Sequence, residues 1–193
     1  MGLFTFTFDD GVTTNFDLLL PILKKENIKA TFFVIGQTLR TKKRQKILQD
    51  VYKAGHIIGN HTYSHTNLTR LTKSGIVSEI NRTTKAIQNA GVFNSNYFRP
   101  PYGALNKDIA EYIQERGITT VLWNVDMQDW NLNVSKDMLL QRYKDFFAKA
   151  NSTYSYISLQ HTMRKDSILL VPEIAKMAKE RGFRISSIKS AKD

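Results

Sequence analysis

Short runs of apolar, β-branched and aromatic residues recur along the chain, each followed by a longer stretch whose apolar positions repeat at helical spacing. Residues 3–8 predict a strand and 15–26 a helix; 30–34 predict the second strand, followed by a basic helix ending at Ala54. A third strand is predicted over 56–60, with a helix over 73–90 behind it. Further strands are predicted at 97–99, 119–123, 156–159 and 184–188, and further helices at 106–116, 135–150 and about 170–181. Gly55, Gly91, Gly117 and Gly182 stand just past helical patterns, where C-terminal stops belong. Seven strands alternating with helices imply a parallel sheet. The regular alternation favours an α/β fold of the distorted (β/α) barrel kind, with about seven parallel strands, ahead of an open doubly wound sheet.

In such folds the chemistry gathers at the carboxyl ends of the strands. The acids and histidines of this chain follow that rule. Asp9 and Asp10 come after the first predicted strand, His61 after the third, Arg99 after the fourth, Asp126 and Asp129 after the fifth, and His161 after the sixth. His56 is the exception: it enters the third strand at the opposite end, and a structural role is expected for it.

Composition narrows the setting. The 193 residues are 41% hydrophobic, and no long Pro/Gly/Ser linker interrupts them, so a single domain over 1–193 is expected. Absence of cysteine excludes both a disulfide framework and a thiolate metal site. No apolar run reaches the roughly 18 residues of a membrane span. The chain enters its first strand pattern without a signal peptide, so any targeting segment is expected to lie outside it. A net charge of +11 attracts polyanions in general, an acidic cell-wall surface among them. The basic run at 40–46 reads as the solvated face of a helix. No zinc-finger spacing or aromatic-rich nucleic-acid motif is present, so no specific nucleic-acid partner is expected, and a monomer is.

Two imidazoles and a carboxylate make a three-ligand site with a position left for water, which is the make-up of a hydrolytic zinc centre. His61 and His65 are spaced i, i+4, which would place both rings on one side of a helical turn. Asp9 and Asp10 alternate faces at a strand end, so one can ligate a metal while the other stays a base. Each signal has a plainer reading by itself: Asp-Asp-Gly suits a turn, and a spaced histidine pair is often only surface. Three further segments add weight. Arg99-Pro100-Pro101-Tyr102-Gly103 is a rigid turn headed by a cation, the segment from Asp126 to Trp130 offers two acids and an aromatic wall, and Leu159-Gln160-His161 sets an apolar residue two positions before an imidazole.

In this order, the five segments resemble the motif set of the polysaccharide deacetylases, carbohydrate esterase family 4, over about residues 5–188. The resemblance implies removal of acetyl groups from N-acetylglucosamine units of a glycan, by one divalent metal ion, zinc first and cobalt or another divalent ion as alternatives. It implies Asp9 as the catalytic base and Asp10, His61 and His65 as the metal ligands. It further implies Arg99 as the partner of the base, and the Tyr102 amide as a donor to the oxyanion. Trp130 and Leu159 would wall the acetyl pocket, and His161 would be the general acid, oriented by Asp129. Asp126 receives no catalytic role.

Departures from the family pattern are Val12 where proline is common, and Thr162 where an aspartate often follows the histidine. Both bear on loop shape and substrate fit rather than on the chemistry. The resemblance sets chitin-type substrates slightly ahead of peptidoglycan and implies a secreted or cell-wall-associated protein. Sequons at Asn67, Asn81, Asn133 and Asn151 agree with secretion, whereas the one at Asn60 abuts the histidines. The rival classes are a catalytically silent carbohydrate-binding relative, an amidohydrolase of small cyclic amides, and a basic polyanion-binding protein. The last leaves the placement of acids and histidines unexplained.

Overall fold

The structure, a computed structural model, describes residues 1–188. In chain order its regular elements are β1 (Leu3–Asp9), α1 (Phe16–Lys25), β2 (Thr31–Val34), α2 (Lys42–Lys53), β3 (Ile57–Asn60), α3 (Lys73–Asn89), β4 (Tyr97–Phe98), α4 (Lys107–Gln114), β5 (Thr119–Thr120), β6 (Val125–Asp126), α5 (Lys136–Lys149), β7 (Tyr156–His161), α6 (Lys165–Glu180) and β8 (Arg184–Ile185). They form two compact units. One comprises Met1–Asp9, Thr13–Thr31 and the described residues from Trp123 onward; the other comprises Asp10–Val12 and Phe32–Leu122.

In the first unit β1 pairs in parallel with β7 and with β8, and β7 pairs in parallel with β6. All seven residues of β1 are buried, because phenylalanine and threonine alternate along it and both faces are covered. Phe4 meets Phe6, Phe147 and Phe183 with ring centroids 5.2, 5.2 and 6.5 Å away. The threonine face is satisfied internally: Thr7 Oγ1 donates to the Ser158 carbonyl at 2.5 Å, and Ser158 Oγ donates to the Thr5 carbonyl at 3.2 Å. The β1–β7 register runs from Phe4 opposite Tyr156 to Asp9 opposite His161. Helix α6 begins at Lys165, earlier than the sequence pattern predicts, and carries Pro172 inside it.

In the second unit the strand order is β5-β4-β3-β2, and the β3–β4 and β4–β5 pairs are parallel. Its core joins Leu68, Ile76, Ile80, Phe98, Ile109 and Ile113. Thr41, Thr72 and Asn106 cap α2, α3 and α4 through side-chain oxygens that accept the amides of Arg44, Gly75 and Ile109. His56 is buried with its ring edge-on to Phe32 at 5.4 Å, a packing role.

Strands alternate with helices and the pairs named are parallel, the α/β pattern expected. The fifth predicted strand, 119–123, is corrected: Thr119–Thr120 pairs with β4, while the separate Val125–Asp126 pairs with β7. The division between the units falls between Leu122 and Trp123, inside the predicted run. Among the described residues no helix is long and apolar enough to cross a membrane.

Candidate active site

At the end of β1 the chain turns at once. Asp10 and Gly11 have φ of 71° and 88°, a left-handed pair that an aspartate tolerates and a glycine favours. A Cβ on Gly11 would lie 2.9 Å from Thr38 Oγ1 and 3.2 Å from the Ile35 nitrogen, so both conformation and space select glycine.

The turn delivers Asp10 to the two spaced histidines. Its Oδ1 lies 3.7 Å from His61 Nε2 and 3.4 Å from His65 Nε2, and one ligand atom from each residue falls within 4.8 Å of the others. His61 Nδ1 is 2.7 Å from the Arg99 carbonyl, which only accepts. Nδ1 therefore carries the proton and Nε2 presents its lone pair. Asp10 Oδ1 is buried and has no hydrogen-bond partner among the described residues. A buried carboxylate oxygen facing an imidazole lone pair is costly unless a cation lies between them, so the donor set fits a divalent metal ion.

Residues 61–65 are not the helical turn that the i, i+4 spacing predicts. Thr62 and His65 are left-handed, with φ of 62° and 59°, and the rings meet edge-on at 5.0 Å because the loop doubles back. The loop is tied to the exit of β2: His61 N–H donates to the Val34 carbonyl, Gly36 N–H to that of Thr62 and Gln37 N–H to that of Tyr63, each at 3.0 Å. Glu79, on α3, completes the anchoring. Its Oε2 accepts the amides of Tyr63 at 2.9 Å and Ser64 at 2.8 Å while the residue is only 8% exposed. Glu79→Ala would leave both amides without this acceptor. We expect a stability loss of about 1.5–3 kcal/mol, read by urea unfolding, with weaker metal retention; Glu79→Gln, which still offers a carbonyl oxygen, should lose less.

Arg99 is fully buried. Its Nε and Nη2 donate to the Val121 and Leu122 carbonyls at 3.2 and 3.3 Å, and its guanidinium lies 4.2 Å from the Phe33 ring centroid. Tyr102, in the 3₁₀ turn Pro101–Gly103, is left-handed at φ 61° and 70% exposed. Its hydroxyl is 3.2 Å from His65 Nδ1. Of the six non-glycine residues with positive φ among those described, Asp10, Thr62, His65, Tyr102 and Gln128 belong to the motif segments, and only Asn27 does not. Strain of this kind concentrates where a fold holds side chains for chemistry.

In the other unit, strand register brings Asp9 opposite His161. Asp9 is 2% exposed and Asp129 3%. Asp129 Oδ1 is 2.6 Å from His161 Nδ1, and its Oδ2 accepts the His161 amide at 2.9 Å. Ser167 Oγ donates to the same Oδ2 at 2.6 Å. Trp130 is 55% exposed beside this pair in the chain, and Leu159 is buried in β7. Asp126 Oδ1 accepts the Gln128 amide at 2.6 Å, a turn-forming role. Burial raises the Tyr143 phenol above its ordinary range, with the charge of Asp129 adding, so Gln160 Nε2 donates to a neutral phenol at 3.0 Å. Tyr63 shifts the other way. Arg40 lowers its phenol most, burial opposes, and Arg82 adds to the lowering.

Glu79, Ser167 and Arg164 were not legible as site residues. Arg164 donates to the carbonyls of Asp129, Asn131 and Val134 at 3.5, 3.3 and 2.5 Å while pairing with Asp166 at 2.9 Å, and so holds the loop that carries Asp129 and Trp130. A lone acid, serine or arginine outside the motif segments gives no signal of such a partner.

The polysaccharide deacetylase family model matches residues 2–121. The chain belongs to the polysaccharide deacetylase family. It is 33% identical over 178 residues to a chitin deacetylase of Cryptococcus neoformans, covering 84% of this chain and 37% of that protein. It is 31% identical over 189 residues to a peptidoglycan-N-acetylglucosamine deacetylase of Bacillus cereus, covering 95% of this chain and 66% of that one. The chain thus spans about a third and about two thirds of these relatives. A family 4 carbohydrate esterase from Streptomyces lividans, solved with acetate, superimposes with a TM-score of 0.82 at 32% identity, over 96% of this chain and 91% of its own. With the parallel strand–helix alternation, that match establishes the distorted (β/α)-barrel class for this deacetylase fold.

Proposed function

We propose that residues 1–193 form a single catalytic domain that hydrolyses the N-acetyl group of N-acetylglucosamine units in a glycan, releasing acetate. The observation that carries this reading is the convergence of Asp10, His61 and His65 around the unpartnered Asp10 Oδ1. These three residues would hold one divalent ion, zinc by preference for two imidazoles and a carboxylate, with cobalt or another divalent ion as alternatives. When bound, that ion supplies Lewis acidity at the acetyl carbonyl and activates water.

The remaining steps belong to side chains. Asp9 takes a proton from the attacking water as its oxygen bonds to the carbonyl carbon, with Arg99 assigned as the partner of the base. The Tyr102 amide is assigned to the developing oxyanion. Asp129 Oδ1, at 2.6 Å from His161 Nδ1, favours the protonated ring and directs Nε2 outward as the proton donor. The C–N bond breaks as that proton reaches the departing amine, and acetate leaves. Trp130 and Leu159 would wall the space for the acetyl methyl.

Chitin-type chains are the first substrate and peptidoglycan the second. The second rests on the Bacillus cereus relative, which matches more of the chain than the fungal one. We assign the protein to the cell exterior or cell wall, acting as a monomer. The deciding experiment measures acetate release from N-acetylglucosamine oligomers after chelation and again with zinc or cobalt restored, using Asp9→Asn as the blank. Metal-dependent release absent from the blank is expected. A protein that binds metal yet releases nothing from either chitin or peptidoglycan fragments would instead be a silent carbohydrate-binding relative.

A further inference from the structure

Tyr63 stands between the two metal-site histidines, and its surroundings are unlike those of the other loop residues. The Arg82 guanidinium, from α3, lies 3.7 Å from the centroid of its ring, and that of Arg40, from the 3₁₀ turn Gly36–Arg40, lies 6.0 Å from it. Two cations thus converge on one half-buried aromatic side chain, and both arginines are exposed.

Neither arginine has a carboxylate partner among the described residues, in contrast to Lys46, Lys107, Lys176 and Arg164, which are paired. The one acid within a helical turn of Arg82 is Glu79, and its Oε2 is committed to the Tyr63 and Ser64 amides. Two exposed guanidiniums directed at one ring without a carboxylate counter-charge leave a positive potential that an anion would meet. Lys42, Lys43 and Arg44, at the start of α2, and Lys85, on α3, are also exposed and add positive potential.

The position ties this pair to the candidate site. Tyr63 is two residues from each histidine, so its Cα lies within about 7.6 Å of either histidine Cα. Its ring packs against Gly36, where a Cβ would come 2.8 Å from Tyr63 Cδ2.

We propose that Arg40 and Arg82, held against Tyr63, form an anion subsite that takes a carboxylate or phosphate substituent on the glycan, borne by a sugar other than the one deacetylated. The inference rests on the reading of the site as glycan-binding and, within it, reverses the substrate order given above: acid-bearing chains come ahead of neutral, chitin-type ones. The arginines act as bidentate donors in this role, which lysine reproduces only in charge.

The test compares the wild-type protein with the double variant Arg40→Gln/Arg82→Gln and its counterpart Arg40→Lys/Arg82→Lys. Direct binding and acetate release are both measured, on three oligomers of equal length containing N-acetylglucosamine: neutral, carboxylate-bearing and phosphate-bearing. For wild type, an anionic oligomer should bind roughly tenfold more tightly than the neutral one at low salt, and this preference should fade as salt is raised. The glutamine variant should lose the preference and the lysine variant should keep part of it. The better of the two anionic arms identifies the substituent. A preference that survives in the glutamine variant, or no preference in wild type, overturns the proposal. Since binding is read without turnover, absence of acetate release on all three arms would count against the deacetylase reading and leave the subsite still decided by the binding ratio.

Discussion

His61→Ala should strip the protein of its metal and reduce acetate release to the level of the Asp9→Asn blank. In the proposed site His61 would contribute more than a ligand atom. Its Nδ1 is fixed at 2.7 Å from the Arg99 carbonyl, which sets the tautomer and the aim of Nε2. Loss of an outer partner of a metal histidine already costs about 10–100-fold in affinity, so loss of the imidazole itself should exceed that. Metal content after dialysis, measured beside acetate release, checks the expectation. His56→Ala is the control: this ring is buried against Phe32 at the start of β3, so its loss should lower stability and leave metal stoichiometry unchanged. Full metal retention by His61→Ala would remove the triad assignment.

His161→Ala should separate the two halves of the chemistry. Turnover is expected to fall by about 10²–10⁴, while metal content stays near that of the wild-type protein. His161 belongs to a different constellation, with Asp129 on Nδ1 and Ser167 on the far oxygen of Asp129. A substrate with a leaving group that needs no proton should recover much of the lost rate, because only protonation of the amine would be missing. If metal is lost together with activity, or if the activated substrate is hydrolysed no faster, the general-acid role fails.

The two variants share a physical basis in how the strand ends are built. Asp9 and Asp10 are adjacent in sequence, yet β1 ends with the first and a left-handed turn begins with the second. That single change of backbone sends Asp9 into the register opposite His161 and Asp10 toward His61 and His65. Alternation at a strand end suffices to expect two different jobs, and the left-handed turn supplies the means.

Much of this was legible in the residue pattern because it depends on local periodicity. The alternation of Phe and Thr through β1, the amphipathic helices and the position of each reactive residue after a strand follow from short-range spacing. His56 could likewise be set apart by its place at the wrong end of its strand. The order of the five motifs, met as a set, also led to the family.

What spacing could not supply was the path of irregular backbone and the identity of distant partners. The i, i+4 histidines looked helical, but Thr62 and His65 adopt positive φ, which the tertiary bonds from Glu79 and the β2 exit impose on the loop. The predicted fifth strand broke because Thr119–Thr120 and Val125–Asp126 find different partners. Ser167 and Arg164 lie 38 and 35 residues from Asp129, yet both bond to it. Arg40 belongs to a run that reads as the solvated face of a helix, and spacing gives no sign that its guanidinium and that of Arg82 both approach the Tyr63 ring. By itself the sequence determined the element order apart from the divided fifth strand, the strand-end placement of the acids and histidines, and the family. Only the tertiary structure decided which side chains fix that chemistry in place, because hydrogen bonds and charge pairs depend on distance in space, whereas periodicity records only distance along the chain.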